Sequence, residues 1–120
     1  MAAVARAWSS AGLSLADARY VELHGTGTAL GDPIEAEALA SLVPAGSSLT
    51  VGAIKANVGH LEAAAGLAGV AKVLLCFAHE RLPPQVHLTS PNPRIPWGRL
   101  RSPLALEALR AEFAVPLHDV

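Results

Sequence analysis

Two segments of the sequence lead from a short aliphatic run through a polar, glycine-containing loop into a helical pattern. The run 18–23 ends in the loop from His24 to Gly31, and the run 49–54 ends in the loop from Lys55 to His60. An apolar run, a glycine turn and then helical periodicity are typical of a strand–loop–helix unit. Two such units in succession predict an α/β domain, a layered sheet with covering helices.

The other elements are predicted from periodicity and from residues that start or stop helices. We expect helices over 2–11, 32–43, 61–79 and 104–113, and a short strand at 86–88. Asp32 is expected at the N-cap of the second helix, with Pro33 at its first position and Glu35 at its third.

The longest apolar stretch, 63–78, is interpreted as a buried helix of a soluble protein. It is shorter than the roughly 20 residues that a membrane span needs, and it contains Lys72. Its large apolar residues recur at helical spacing and are expected to face the core: Leu67, Val70, Leu74 and Phe77.

Charge and cysteine content exclude several classes of protein. The formal net charge of −1 excludes a strongly basic nucleic-acid binder and an acidic tail. The single cysteine, Cys76, permits neither an intrachain disulfide nor a cysteine-based zinc site, and a cytoplasmic location is favoured. Because Cys76 lies late in a helical segment, we interpret it as structural, since a catalytic thiol needs an electropositive, partly open site.

His24 and His60 stand at equivalent places, each in a glycine-flanked loop after a predicted strand. If the two strands are neighbours, their ends converge and both imidazoles face one pocket. Two imidazole N–H donors aimed at one carbonyl oxygen would stabilise an oxyanion or an enolate. The alternative is that both are loop histidines whose ring nitrogens bond to backbone carbonyls.

Lys55 follows the second strand directly. It is either buried beside the site, where it orients His60 or pairs with Glu62, or it is an exposed loop cation. The pattern alone leaves these two alternatives open.

Three further polar residues lie in the two loops. Thr26 and Thr28 either bond a polar ligand chain or stabilise the turn in which they lie, and the turn is favoured. Asn57 permits a tight turn before His60 and is a candidate for binding substrate.

Two competing site types fit poorly. Gly25, Gly27 and Gly31 have the wrong spacing for a dinucleotide fingerprint, and Asp32 would repel a pyrophosphate. A metal site would need ligands at short spacing, which His24 and the other histidines lack.

Three stretches together resemble a known family: VELHGTGTALGDPIEAEAL, VGAIKANVGHLEAAAGLAGVAKVLL and RLPPQVHLTSPNPRI. They are similar to the C-terminal half of a β-ketoacyl synthase, and most similar to the ketosynthase domain of modular type I polyketide synthases. The resemblance implies a partial thiolase-like fold. It divides the chain into a ketosynthase C-terminal portion, 1–97, and a divergent C-terminal tail, 98–120.

The resemblance also implies a chemistry. Ketosynthases join an acyl group, held on a cysteine, to a malonyl unit that loses CO₂ in a decarboxylative Claisen condensation. His24 of the HGTGT motif and His60 of the K-x-N-x-G-H motif would assist decarboxylation and stabilise the enolate, with Lys55 in support. Thr26 and Thr28 would lie near the phosphopantetheine arm of the acyl carrier protein. Such enzymes bind no cofactor directly and are usually homodimers.

The chain departs from the family pattern in one decisive respect. It contains no cysteine elbow like D-T-A-C-S-S, and Cys76 is not the counterpart of that cysteine. We therefore expect a fragment that is inactive alone and that pairs with a complementary N-terminal ketosynthase half. The alternative is a non-catalytic remnant or binding piece.

Overall fold

The computed structural model describes residues 2–101 and the backbone of residues 115–116. The helices are α1 (Ala2–Ser10), α2 (Gly31–Ala40), α3 (Lys55–Val58) and α4 (Ala65–His79), with 3₁₀ turns at Leu15–Asp17 and Glu62–Ala64. The strands are β1 (Tyr20–Glu22), β2 (Leu49–Gly52), β3 (Arg81–Leu82), β4 (Leu100–Arg101) and β5 (Val115–Pro116). The predicted helix over 104–113 lies outside the described residues.

The main sheet has the order β1–β2–β4, and both strand pairs are parallel. Val21 pairs with Val51 and Leu49 pairs with Leu100. β3 and β5 form a separate antiparallel pair. The adjacency of β1 and β2 is the feature that matters for function, because it places the loops after both strands at the same sheet edge.

The core lies between α2 and this sheet. Leu49, Val51 and Leu100 of the sheet pack with buried residues of α2, of the segment that follows it and of the first 3₁₀ turn: Ala36, Leu39, Ala40, Val43 and Leu15. The two alanines let the helix backbone approach the strands closely, and the buried aliphatic side chains supply the main favourable term in folding.

The predicted burial of α4 is wrong. The large apolar residues expected in the core are between 57% and 74% exposed: Leu67, Val70, Leu74 and Phe77. The side of α4 that packs on this chain contains Gly69, Lys72 and Cys76, because Lys72 turns inward to an acidic partner on β1.

Within the described residues, one helical segment, Glu62–His79, has the length and the apolar composition that a membrane span requires. That observation is weak, because core helices of soluble proteins meet the same two conditions. The ion pair of Lys72 halfway along α4 binds this helix to the sheet instead.

Two further local predictions are corrected by contacts between distant parts of the chain. The segment after β2 forms the short helix α3 rather than a loop, and the carboxylate of Glu22 accepts the N–H of Ile54 at its start. Residues 86–88 are not a strand. Instead the Gln85 side-chain amide bonds to both the N–H (3.0 Å) and the carbonyl (3.1 Å) of Ala53, so a side chain replaces strand pairing there.

Candidate active site

The parallel pairing of β1 and β2 brings the two predicted histidines together. The ring centroids of His24 and His60 are 5.3 Å apart, and the rings meet edge to face at 86°. Both side chains are exposed. Loops that follow the carboxyl ends of neighbouring parallel strands are where α/β proteins bind ligands.

A local hydrogen bond determines which nitrogen of the neutral His60 ring carries the hydrogen. The backbone N–H of Glu62 donates to His60 Nδ1 over 3.2 Å. When Nδ1 accepts, a neutral imidazole has its hydrogen on Nε2, which is then free to donate to a ligand. Glu62 adopts φ +49° to make this bond, a left-handed conformation that is unfavourable for glutamate and that concentrates at functional sites.

The backbone of His24 is held by a carboxylate from α2. Glu35 accepts the N–H of His24 over 2.7 Å and the N–H of Gly25 over 3.0 Å. Gly25 has φ +47°, and a Cβ there would lie 2.6 Å from the Cβ of Ala53. Position 25 therefore has to be glycine, and Glu35 fixes the loop rather than capping its own helix.

Asp32 has a similar role on the next part of the loop. Its carboxylate accepts the N–H groups of Gly27 and Thr28 over 3.1 to 3.3 Å. The prediction that Asp32 caps the second helix is wrong, because α2 begins one residue earlier, at Gly31. Thr28 Oγ1 accepts the N–H of Gly31 over 3.0 Å instead, as the turn alternative for Thr28 requires.

The two histidines line adjoining cavities. His60 lines a cavity of about 560 Å³ together with Thr26, Thr28 and Gln85. His24 lines a second cavity of about 430 Å³ along the small residues of α4. Leu23 and Lys55 line both cavities, so the two rings lie where the cavities adjoin.

Lys55 lines both cavities and is half-buried. Among the described side chains, neither a hydrogen bond to His60 nor an ion pair with Glu62 forms. Asn57 is exposed on α3 and is not among the residues that line these two cavities. Its contact with substrate stays a prediction.

A buried ionic cluster that the sequence pattern did not predict lies on β1 and α4, centred on Glu22, two residues before His24. Lys72 Nζ lies 2.9 Å from Glu22 Oε2 and donates to the Tyr20 hydroxyl over 2.8 Å. The Tyr20 hydroxyl in turn donates to Glu22, and burial raises the pKa of Tyr20 well above its ordinary value. A lysine inside an apolar helix was the available signal, because a buried cation requires an acidic partner.

The family follows from comparison with known proteins. The family profile described as "Beta-ketoacyl synthase, C-terminal domain" matches residues 1–89. The chain belongs to the β-ketoacyl synthase family. It is 47% identical over 105 residues to a phenolphthiocerol/phthiocerol polyketide synthase of Mycobacterium tuberculosis, covering 84% of this chain and 6% of that protein. It is 46% identical over 113 residues to polyketide synthase GfsA of Streptomyces halstedii, covering 92% and 2%.

Solved ketosynthases have the same fold over most of this chain. The oxazolomycin ketosynthase domain OzmH KS7 of Streptomyces albus JA3453 matches with TM-score 0.81 and 35% identity, over 95% of this chain and 20% of that one. The ketosynthase from module 6 of the bacillaene synthase of Bacillus subtilis 168 matches with TM-score 0.77 and 36% identity, over 92% and 20%. The predicted thiolase-like fold is confirmed, and the chain spans about one fifth of these ketosynthase chains.

The only thiol of this ketosynthase segment is buried in α4 and is expected to react slowly. Cys76 is 5% exposed, and burial raises the pKa of its thiol, so little thiolate exists near neutral pH. We expect iodoacetamide at pH 7.5 to alkylate Cys76 at least about tenfold more slowly than a free cysteine. The rate should rise as the pH is increased and should equal that of free cysteine in urea. Alkylation of the folded protein at the free-cysteine rate would contradict a structural role.

Proposed function

We propose that this chain supplies the two-histidine part of a ketosynthase that condenses acyl and malonyl thioesters carried on an acyl carrier protein. The observation that supports the proposal is the pair of imidazole rings, 5.3 Å apart, at the carboxyl ends of two adjacent parallel strands. The family membership of the chain gives the reaction class.

The two rings suit the charge that develops in this reaction. When the malonyl carboxylate leaves as CO₂, the electron pair of the broken C–C bond moves into the thioester and forms an enolate. The Nε2–H of His60 donates to the enolate oxygen, and His24 supplies the second donor from the neighbouring loop. Donors fixed before the reaction stabilise such an oxyanion by several kcal/mol in total, typically about 3 kcal/mol each.

Carbon–carbon bond formation completes the condensation. The enolate carbon attacks the acyl thioester carbonyl on the cysteine of the other half, and the cysteine leaves as thiolate. Lys55, half-buried between the two cavities, supplies positive charge beside the malonyl carboxylate and the enolate. Thr26 and Thr28 line the larger cavity and are proposed to contact the phosphopantetheine arm.

The exposed side of α4 supports pairing with a complementary N-terminal half. Five large apolar side chains on α4 are between 57% and 74% exposed: Leu67, Val70, Leu74, Leu75 and Phe77. A patch of this kind marks an interaction surface. We propose that the N-terminal half covers it and supplies the nucleophilic cysteine, in a homodimeric assembly in the cytoplasm. The division into 1–97 and 98–120 is part of the same proposal.

Acyl transfer gives the test of this proposal. The chain alone, incubated with an acyl thioester of N-acetylcysteamine, is expected to gain no acyl mass, because Cys76 is buried. With the complementary half present, the acyl mass should appear on that half and disappear when its elbow cysteine is changed to alanine. Acylation of Cys76 would contradict the proposal. A stable pair that loads acyl groups but never condenses them would favour the alternative, a binding remnant.

A further inference from the structure

Glu22, the last residue of β1, joins three parts of the fold at one buried point. Its side chain is 12% exposed, and its Oε2 lies 2.9 Å from Lys72 Nζ on α4. The same oxygen accepts the hydroxyl of Tyr20, and the other oxygen, Oε1, accepts the backbone N–H of Ile54. The carboxylate therefore links β1, α4 and the segment that follows β2.

The bond to Ile54 connects this cluster to the histidine site. Ile54 is the N-cap residue immediately before α3, and α3 leads through Gly59 directly into His60. Glu22 itself stands two residues before His24. One carboxylate is thus attached to the chain segments that present both imidazoles.

The surroundings leave this carboxylate little freedom to reorient. A Cβ added at Gly52 would lie 2.6 Å from the Tyr20 hydroxyl and 3.3 Å from Lys72 Nζ. A Cβ added at Gly69 would lie 3.2 Å from Cγ of Glu22. The glycines provide the space that the cluster fills, and its mutually bonded members hold one arrangement.

We propose that Glu22 is a positioning residue, oriented by Lys72 and Tyr20, whose hydrogen bond to Ile54 fixes His60 opposite His24. Its catalytic consequence rests on the proposed function. The geometric role does not, because it is defined by a backbone hydrogen bond and by the state of an imidazole ring.

Two variants separate this role of Glu22 from that of a mere counter-charge for Lys72. Glu22→Gln combined with Lys72→Met keeps an acceptor in reach of the Ile54 N–H and removes both charges, whereas Glu22→Asp keeps the charge and is one methylene too short. Both are made in the full chain, bound to its complementary half where assembly requires it. The readouts are hydrogen exchange of the Ile54 amide and the ¹⁵N shifts of the His60 ring.

We expect Glu22→Asp to accelerate hydrogen exchange of the Ile54 amide by about tenfold or more. The His60 ring should then populate both neutral tautomers, with the hydrogen on Nδ1 as well as on Nε2. The double variant Glu22→Gln, Lys72→Met should change both readouts less. Glu37→Asp, the same shortening at an exposed glutamate of α2, should change neither. Equal effects of Glu22→Asp and the double variant, or a larger effect of the double variant, would overturn the proposal.

A second variant keeps the test decisive if Glu22→Asp does not fold. Tyr20→Phe leaves the charges and the ring in place and removes one group that orients the carboxylate. It should accelerate Ile54 exchange by about threefold, and unchanged exchange would overturn the proposal.

The kinetic consequence is measured in the assembled ketosynthase. Glu22→Asp should lower kcat for malonyl decarboxylation by about tenfold or more with little change in KM, because a displaced histidine acts on the reacting atoms rather than on binding. If the Glu22 variants differ as expected in Ile54 exchange and His60 ring shifts but the assembled protein has no ketosynthase activity, the proposed function is overturned and this inference is supported. An active enzyme without those differences would overturn this inference alone.

Discussion

Replacing His60 by alanine in the assembled ketosynthase is expected to lower the rate of malonyl decarboxylation by about 10²- to 10³-fold. The variant removes the Nε2–H donor that the Glu62-to-Nδ1 hydrogen bond makes available. His24→Ala should cause a loss of similar size, because its ring stands 5.3 Å away at the end of the neighbouring strand. CO₂ release from a malonyl thioester measures both effects.

Two further variants make this result specific. His60→Gln retains an N–H donor and should lose less activity than His60→Ala. His79→Ala, at the exposed end of α4, should leave the rate unchanged. A His60→Ala loss no greater than that of His79→Ala would show that the imidazole pair does not stabilise the enolate.

Replacing Lys72 by methionine is expected to lower the free energy of unfolding by about 3–5 kcal/mol. Lys72 is 8% exposed and pairs with Glu22, so its removal leaves a buried carboxylate without a cation. A loss of this size is a large part of the stability of a small domain. Trp8 and Trp97, the two tryptophans of the chain, pack against the core. Urea unfolding followed by their fluorescence measures the loss.

The double variant Lys72→Met, Glu22→Gln tests the reason for that loss. Glutamine keeps an acceptor for Ile54 and has no charge to be compensated, so the double variant should be more stable than Lys72→Met alone. If both variants lose the same free energy, the methionine substitution acts through packing and not through the unpaired carboxylate.

The order of β1, α2, β2 and α4 and the meeting of the two histidines could be predicted because their signals follow the chain order. A strand run, a glycine loop and a helical pattern follow one another twice, and the parallel pairing of neighbouring strands places the following loops together. His24 and His60 are therefore brought together by chain order and sheet geometry.

The remaining features depend on side-chain contacts that helix and strand periodicity does not encode. Lys72 and Tyr20 are 52 positions apart and meet only in the folded chain. Asp32 and Glu35 are residue types that commonly start a helix. Their role is determined instead by the hydrogen bonds that their carboxylates accept from backbone N–H groups of the preceding loop. Periodicity showed which residues of α4 share a face, and it cannot show whether anything in the chain covers that face.

The most direct test of the account is the rate of β-ketoacyl thioester formation when this chain is mixed with a complementary N-terminal ketosynthase half and the acyl and malonyl carrier proteins. We expect product only when both halves are present, and none when the chain contains His60→Ala. This expectation would be contradicted by product from the chain alone, or by a stable complex that loads the acyl group on its cysteine and forms no product.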